Sequence, residues 1–216
     1  STCQGVMSQA EYRLENEEYR AQINETLAEE DLEYTGKTPT RHILWIIVEE
    51  IGEKKFKSLV KRQLEGLRLA PFYGCYLVRP SKALKFYEKP ERETCLEDLI
   101  EWVGATVVDF PGKTACCGFP IVTINEKASL KMVGNHTSTA KDLGASAMVT
   151  PCPLCHLNLD QYQDRAAWMM EREIDLPIIH VPQLVGLALG LDPEELKINK
   201  HVISTKKLLT EISLKP

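Results

Sequence analysis

Residues 145–155 read Ala-Ser-Ala-Met-Val-Thr-Pro-Cys-Pro-Leu-Cys, and this stretch decides the fold. An apolar, β-type run over 145–150 stops at a proline and feeds directly into the Cys-x-x-Cys of Cys152 and Cys155. Two other places repeat the plan. Residues 67–73 (LRLAPFY) lead into Gly74-Cys75, and residues 105–110 (ATVVDF) lead through Pro-Gly-Lys into Cys116-Cys117-Gly118. Each cysteine group thus lies near the carboxyl end of an expected strand. In an open parallel sheet those ends form the ligand-binding rim. The expected architecture is α/β: a small parallel sheet flanked by helices, with the cysteines at the carboxyl ends of strands.

The segments between the strands read as helices. Residues 8–30 are polar and helix-forming, and 34–39 break that segment. Thr40 is the expected N-cap of a helix over 41–51. Gly52 interrupts, and the helical pattern resumes over 53–64. Thr94 is placed to cap a helix over 96–102. A long, mostly helical segment starts at Phe119-Pro120 and stops at Gly144. A further helix over 153–170 opens at the Cys-x-x-Cys. A fourth strand over 176–180, a short helix over 182–189 and a helix start at Asp192 follow. The basic tail to Pro216 reads as peripheral, and Trp45, Trp102 and Trp168 read as core residues. Residues 1–66 are expected to form a helical segment and 67–216 a cysteine-rich domain.

Composition narrows the function classes. The 216 residues are 44% hydrophobic and 26% charged with a net charge of −5. This is a globular composition and a poor one for nucleic-acid binding. No apolar run approaches the ~20 residues of a membrane span, and no secretory signal pattern opens the sequence. The expected location is cytoplasmic.

Seven cysteines, Cys3, Cys75, Cys95, Cys116, Cys117, Cys152 and Cys155, are the unusual feature. An odd number in a chain of this length, without a secretory signal, argues against a disulfide scaffold. Five of them in three similar contexts exceed what one tetrahedral metal takes up. Helix starts beside Cys152, Cys155 and Cys117 favour thiolate. Gly74, Gly112 and Gly118 leave room for the backbone to approach bulky atoms. Zinc held by four of the five thiolates remains an alternative.

The set Gly74-Cys75, Cys116-Cys117-Gly118 and Cys152-Pro-Leu-Cys155 resembles the cysteine-rich CCG domain found in heterodisulfide reductase and its relatives. The run 71–75 (PFYGC) and the segment 180–190 (HVPQLVGLALG) are similar to further signatures of that family. Members carry two such repeats. The opening Ser1-Thr2-Cys3-Gln4-Gly5 looks like the end of a first repeat whose first cysteine is absent, so the expectation is a chain lacking most of that repeat. The resemblance implies an iron–sulfur subunit of an oxidoreductase complex acting on sulfur groups. It implies a non-cubane [4Fe-4S] cluster on Cys75, Cys116, Cys117, Cys152 and Cys155, where a disulfide is cleaved or formed by one-electron steps. Implied partners are a ferredoxin-like iron–sulfur subunit, a flavoprotein subunit and a small disulfide or thiol substrate. The alternative function is a structural zinc-binding or electron-relay and docking subunit without substrate chemistry of its own. Cys3 is assigned no ligand role, and Cys95 reads as a structural thiol. His156, Lys113 and Thr114 are the expected hydrogen-bonding neighbours of the sulfurs, with His180 either lining the site or packing.

Overall fold

The computed structural model describes residues 2–37 and 39–212; Ser1, Thr38 and the tail residues 213–216 lie outside the described residues. Four strands, β1 (Arg68–Pro71), β2 (Thr106–Val107), β3 (Ala147–Thr150) and β4 (Ile178–His180), form one sheet in the order β2-β1-β3-β4. Every neighbouring pair is parallel, with Leu69 opposite Val107 on one side and Ala147 on the other, and Val149 opposite Ile179. The strand order reverses between β1 and β3. That gap is the switch point where α/β sheets open a crevice at their carboxyl ends.

Period-two alternation sorts the strand residues into two cores. Leu69, Val149 and Ile179 face a larger core with Leu44, Trp45, Phe56, Leu64, Leu99 and Leu184. Ala70, Met148 and Ile178 face a smaller one with Phe110, Val133, Leu159 and Ala166. On the larger side lie α4 (Gly52–Leu59), α7 (Cys95–Trp102) and α11 (Val181–Ala188). On the smaller side lie α8 (Glu126–Asp142), α9 (Pro153–Gln161) and α10 (Gln163–Met169). Residues 44–64 thus share a core with the sheet.

Several element boundaries differ from the sequence reading, each for a local reason. The first helical segment is two helices, α1 (Thr2–Leu14) and α2 (Glu17–Leu27), because the Asn16 side chain accepts from Tyr19 N–H and starts a new helix. His42, not Thr40, caps the next turn: its Nδ1 accepts from Leu44 N–H. That turn, α3 (Ile43–Trp45), runs into a π-helical stretch (Ile46–Ile51) before α4. The segment from Phe119 is a single 3-10 turn (Phe119–Ile121), and α8 begins afresh where Asn125 accepts from Ala128 N–H. Helix 153–170 breaks at Tyr162 into α9 and α10. Short helices α5 (Ser81–Leu84) and α6 (Pro90–Glu93) fill a stretch whose sequence has no clear period.

Two core assignments are corrected. Trp168 is 83% exposed, because α10 packs through Gln163 and Ala166 and turns the indole outward. The basic tail is not peripheral: α12 (Lys206–Glu211) buries Leu208 and Leu209 in the larger core while its lysines stay outside.

Candidate metal centre

Cys75 follows β1 by four residues and Cys152 follows β3 by two, so the two flank the switch point. Past the end of β1 the backbone stays paired. Phe72 N–H donates to Val149 O, and Tyr73 and Gly74 N–H both donate to Lys113 O. Gly74 then takes φ +72°, where a Cβ would fall 2.8 Å from Cys155 Sγ. Only glycine lets the Cys75 turn lie against the Cys152–Cys155 loop this closely.

Cys152 sits immediately before α9 in extended conformation, with Pro153 at the first helical position. Its N–H donates to Thr150 Oγ1, and its carbonyl accepts from His156 N–H. Cys155 is in the first turn. Cys152 and Cys155 are buried in the smaller core, as is Cys117.

Cys116 and Cys117 end a long loop after β2, where strand pairing cannot hold them. Side chains from two helices hold them instead. His136 Nε2 hydrogen-bonds Cys116 O at 2.9 Å, and Asn158 Nδ2 donates to Cys117 O at 2.8 Å. His136 itself is wedged against Phe72 and Phe110. Gly118, at φ +96°, lets the loop approach Ser129 of α8, whose Oγ would lie 2.8 Å from a Cβ there. These partners are separated from the cysteines by 20 and 41 residues, and no local pattern announces them.

The thiols meet one another. Cys155 hydrogen-bonds both Cys117 and Cys152, and Cys75 hydrogen-bonds Cys116. The Cys155 thiol bridges two sulfurs better held as thiolates. The hydrogen bond to Cys155 brings Cys152 down to about 4 against the opposing effect of burial. The same bond lowers Cys117, helped by the Phe119 N–H. Those bonds, with burial, push Cys155 far up, while burial and then the Cys116 charge raise Cys75 to about 11. Thr2 of α1 also reaches this centre, its Oγ1 lying 3.5 Å from Cys152 Sγ.

The other two cysteines are apart from this group. Cys3 is exposed on α1. Cys95 is buried on α7 and donates to Arg92 O at 3.0 Å. All seven are free thiols.

The residues expected to hydrogen-bond the sulfurs do other work. Lys113 Nζ pairs with Glu97 at 2.9 Å and Asp109 at 2.8 Å, and Thr114 O accepts from Arg79; both fasten the cysteine loop. His156 packs against His201 with ring centroids 4.6 Å apart and against His180 at 6.1 Å. His180 N–H donates to Gln183 Oε1 at the start of α11. The space at Gly112 and Gly118 is taken by Phe110, His136 and Ser129. Of the three glycines, Gly74 alone faces a cysteine sulfur.

An all-sulfur donor set without carboxylates suits iron–sulfur clusters or zinc. Among the described residues, no three His, Cys, Asp or Glu side chains are arranged to hold a single metal ion. The sulfurs instead form two linked groups, Cys117-Cys155-Cys152 and Cys75-Cys116, with the Cys117 charge acting on Cys75. The buried amide of Asn158 keeps its Oδ1 without a protein partner beside them.

Residues 69–160 match the model of the cysteine-rich CCG domain. The 8-methylmenaquinol:fumarate reductase membrane anchor subunit of Wolinella succinogenes is 38% identical over 208 residues, covering 96% of this chain and 72% of that protein. A subunit of the ferredoxin/F(420)H(2)-dependent CoB-CoM heterodisulfide reductase of Methanosarcina acetivorans is 33% identical over 213 residues, 97% of this chain and 70% of that one. A crystal structure of a hypothetical protein from Helicobacter pylori shares the fold, with a TM-score of 0.64 at 16% identity over 91% of this chain and 35% of its own. Among the described residues no helix is long and apolar enough to cross a membrane.

Proposed function

This chain belongs to the CCG cysteine-rich family, which has members in heterodisulfide reductases, and we propose that it is the iron–sulfur subunit of a cytoplasmic reductase complex. In this reading Cys75, Cys116, Cys117, Cys152 and Cys155 hold a non-cubane [4Fe-4S] cluster, and residues 67–216 form the cysteine-rich domain. The cluster, when bound, supplies one-electron chemistry at sulfur.

The reaction balances as one disulfide plus two electrons and two protons giving two thiols. A ferredoxin-like subunit delivers the electrons singly, and a flavoprotein subunit stands behind it. The observation that carries the reading is the meeting of Cys117, Cys152 and Cys155 in one buried hydrogen-bonded group, with the Cys75–Cys116 pair beside it. Thiolate is the ligating form, and the surroundings hold Cys117 and Cys152 towards it. His136, Asn158 and the doubly used Lys113 carbonyl fix the loops, so little ordering is left to the moment of ligation. Burial of three of the sulfurs excludes water from that side and leaves Cys75 and Cys116, both part-exposed, as the approach for a small disulfide.

Iron and acid-labile sulfide analysis with visible absorbance, on protein purified without oxygen, tests this. Stoichiometric iron and sulfide, lost in Cys117→Ser, is the expected result. Stoichiometric zinc without iron contradicts it and favours a structural site.

A further inference from the structure

We propose that the groove between α1 and α5, walled by Arg13, Arg79 and Lys82, docks the acidic face of a one-electron carrier protein. This docking role rests on the iron–sulfur reading and adds where the electrons arrive.

The groove is an open depression of about 600 Å³ with Gln9 and Tyr12 on its α1 side. Its three charged lining residues are all cations. None of the three forms an ion pair among the described residues, although ten such pairs occur elsewhere. Two nearby acids are already engaged: Glu11 of α1 accepts from Thr40 N–H, and Glu15, just past α1, pairs with Lys85. In a chain of net charge −5, three exposed, uncompensated cations around one hollow are a local reversal of sign. Such a patch attracts an acidic surface and orients it during encounter.

The groove is also tied to the sulfur centre. Arg79 N–H donates to Cys75 O, and its guanidinium donates to Thr114 O at 3.2 Å, two residues before Cys116. Arg79 therefore brackets both loops that carry the Cys75–Cys116 pair. From the α1 side, Gln9 Nε2 donates to the hydroxyl of Tyr76, the residue after Cys75. Gly5 of α1 lies flat on the same ring, where a Cβ would come within 2.7 Å. A carrier seated here contacts Arg79, whose backbone N–H is bonded to the Cys75 carbonyl. The openness of the groove and the exposure of its cations suit a small, charge-steered protein contact. A small-molecule pocket would enclose most of its ligand.

The test compares two double reversals of equal net charge in the full-length holoprotein. Arg13→Glu/Lys82→Glu alters the groove, and Lys127→Glu/Lys131→Glu alters the exposed side of α8. Reduction by a dithionite-reduced acidic [2Fe-2S] ferredoxin is followed by stopped flow at several salt concentrations. The groove variant is expected to lose at least about tenfold in second-order rate at low salt, together with most of the salt dependence. The α8 variant is expected to keep both. Affinity for polyglutamate on the same preparations is expected to fall in the groove variant alone, and this readout is independent of metal content. Equal behaviour of the two variants in both readouts overturns the proposal. So does a raised KM for glutathione disulfide with unchanged electron delivery, which would make the groove a substrate seat. Iron content of the same samples reports separately on the iron–sulfur reading, so a failure of one is not mistaken for the other.

Discussion

The two faces of the sheet each bury cysteine, and the company each cysteine keeps differs. On the larger face Cys95 has a carbonyl and the Tyr73 hydroxyl for neighbours, and burial pushes its thiol well up. On the smaller face Cys117, Cys152 and Cys155 are buried to a similar extent, yet two of the three are drawn down by a neighbouring thiol. Burial alone gives an inert thiol; burial among other thiols at a strand-end crevice draws thiols towards thiolate, as the proposed ligand set needs. The contrast can be broken or sharpened experimentally.

The largest effect should come from the sulfurs. Cys155→Ser is expected to lose nearly all bound iron, because it removes the bridge between Cys117 and Cys152. Cys95→Ser should keep full iron content and lose about 1 kcal/mol of stability from a poorer fit to an apolar site. Iron analysis beside denaturant titration checks both, and equal iron loss would erase the distinction between the faces.

Gly74→Ala comes next. Its Cβ would meet Cys155 Sγ at 2.8 Å, whereas Gly36, at the same φ of +72°, has nothing within 4 Å. Gly36→Ala should cost about 1 kcal/mol of backbone strain and leave metal content intact. Gly74→Ala should cost more and lose most of the iron. A matching pair would show that Gly74 serves backbone conformation only.

On the other face, the Tyr73 hydroxyl bonds Glu97 and accepts from Leu96 N–H. Tyr73→Phe should lower stability by about 1–2 kcal/mol without changing iron content. Loss of iron in this variant would mean the faces are coupled.

The larger core should also show a pH dependence. Burial holds His42 down to about 3, so the folded chain keeps it neutral while the unfolded chain protonates it below about 6.5. Its contribution is therefore complete above pH 6.5 and is lost as pH falls towards 3, at up to about 1.4 kcal/mol per unit. His42→Asn keeps a capping side chain and should flatten that slope between about pH 6.5 and 4.5, measured by denaturant titration. An unchanged slope assigns the acid sensitivity to other buried histidines.

The sheet and the cysteine groups were legible because both signals are local. An apolar run ending in proline or glycine marks a strand end, and Gly74-Cys75 and Cys152-Pro-Leu-Cys155 stand where such runs stop. The supports of the centre were not legible. His136, Asn158, Arg79 and Thr2 act across 20, 41, 35 and 150 residues, and sequence spacing carries no trace of such contacts. Lys113, Thr114 and His156 misled for the converse reason. Each is next or nearly next to a cysteine in the chain, but the side chains of Lys113 and His156 point elsewhere and Thr114 contributes its carbonyl. Lysines in α12 similarly concealed that Leu208 and Leu209 point inward.

The most direct test is the iron count of the full chain isolated without oxygen, set against Cys75→Ser. The predicted result is about four irons per chain with matching sulfide, falling steeply in the variant. Zinc in place of iron, or an iron count unmoved by the loss of Cys75, would contradict it.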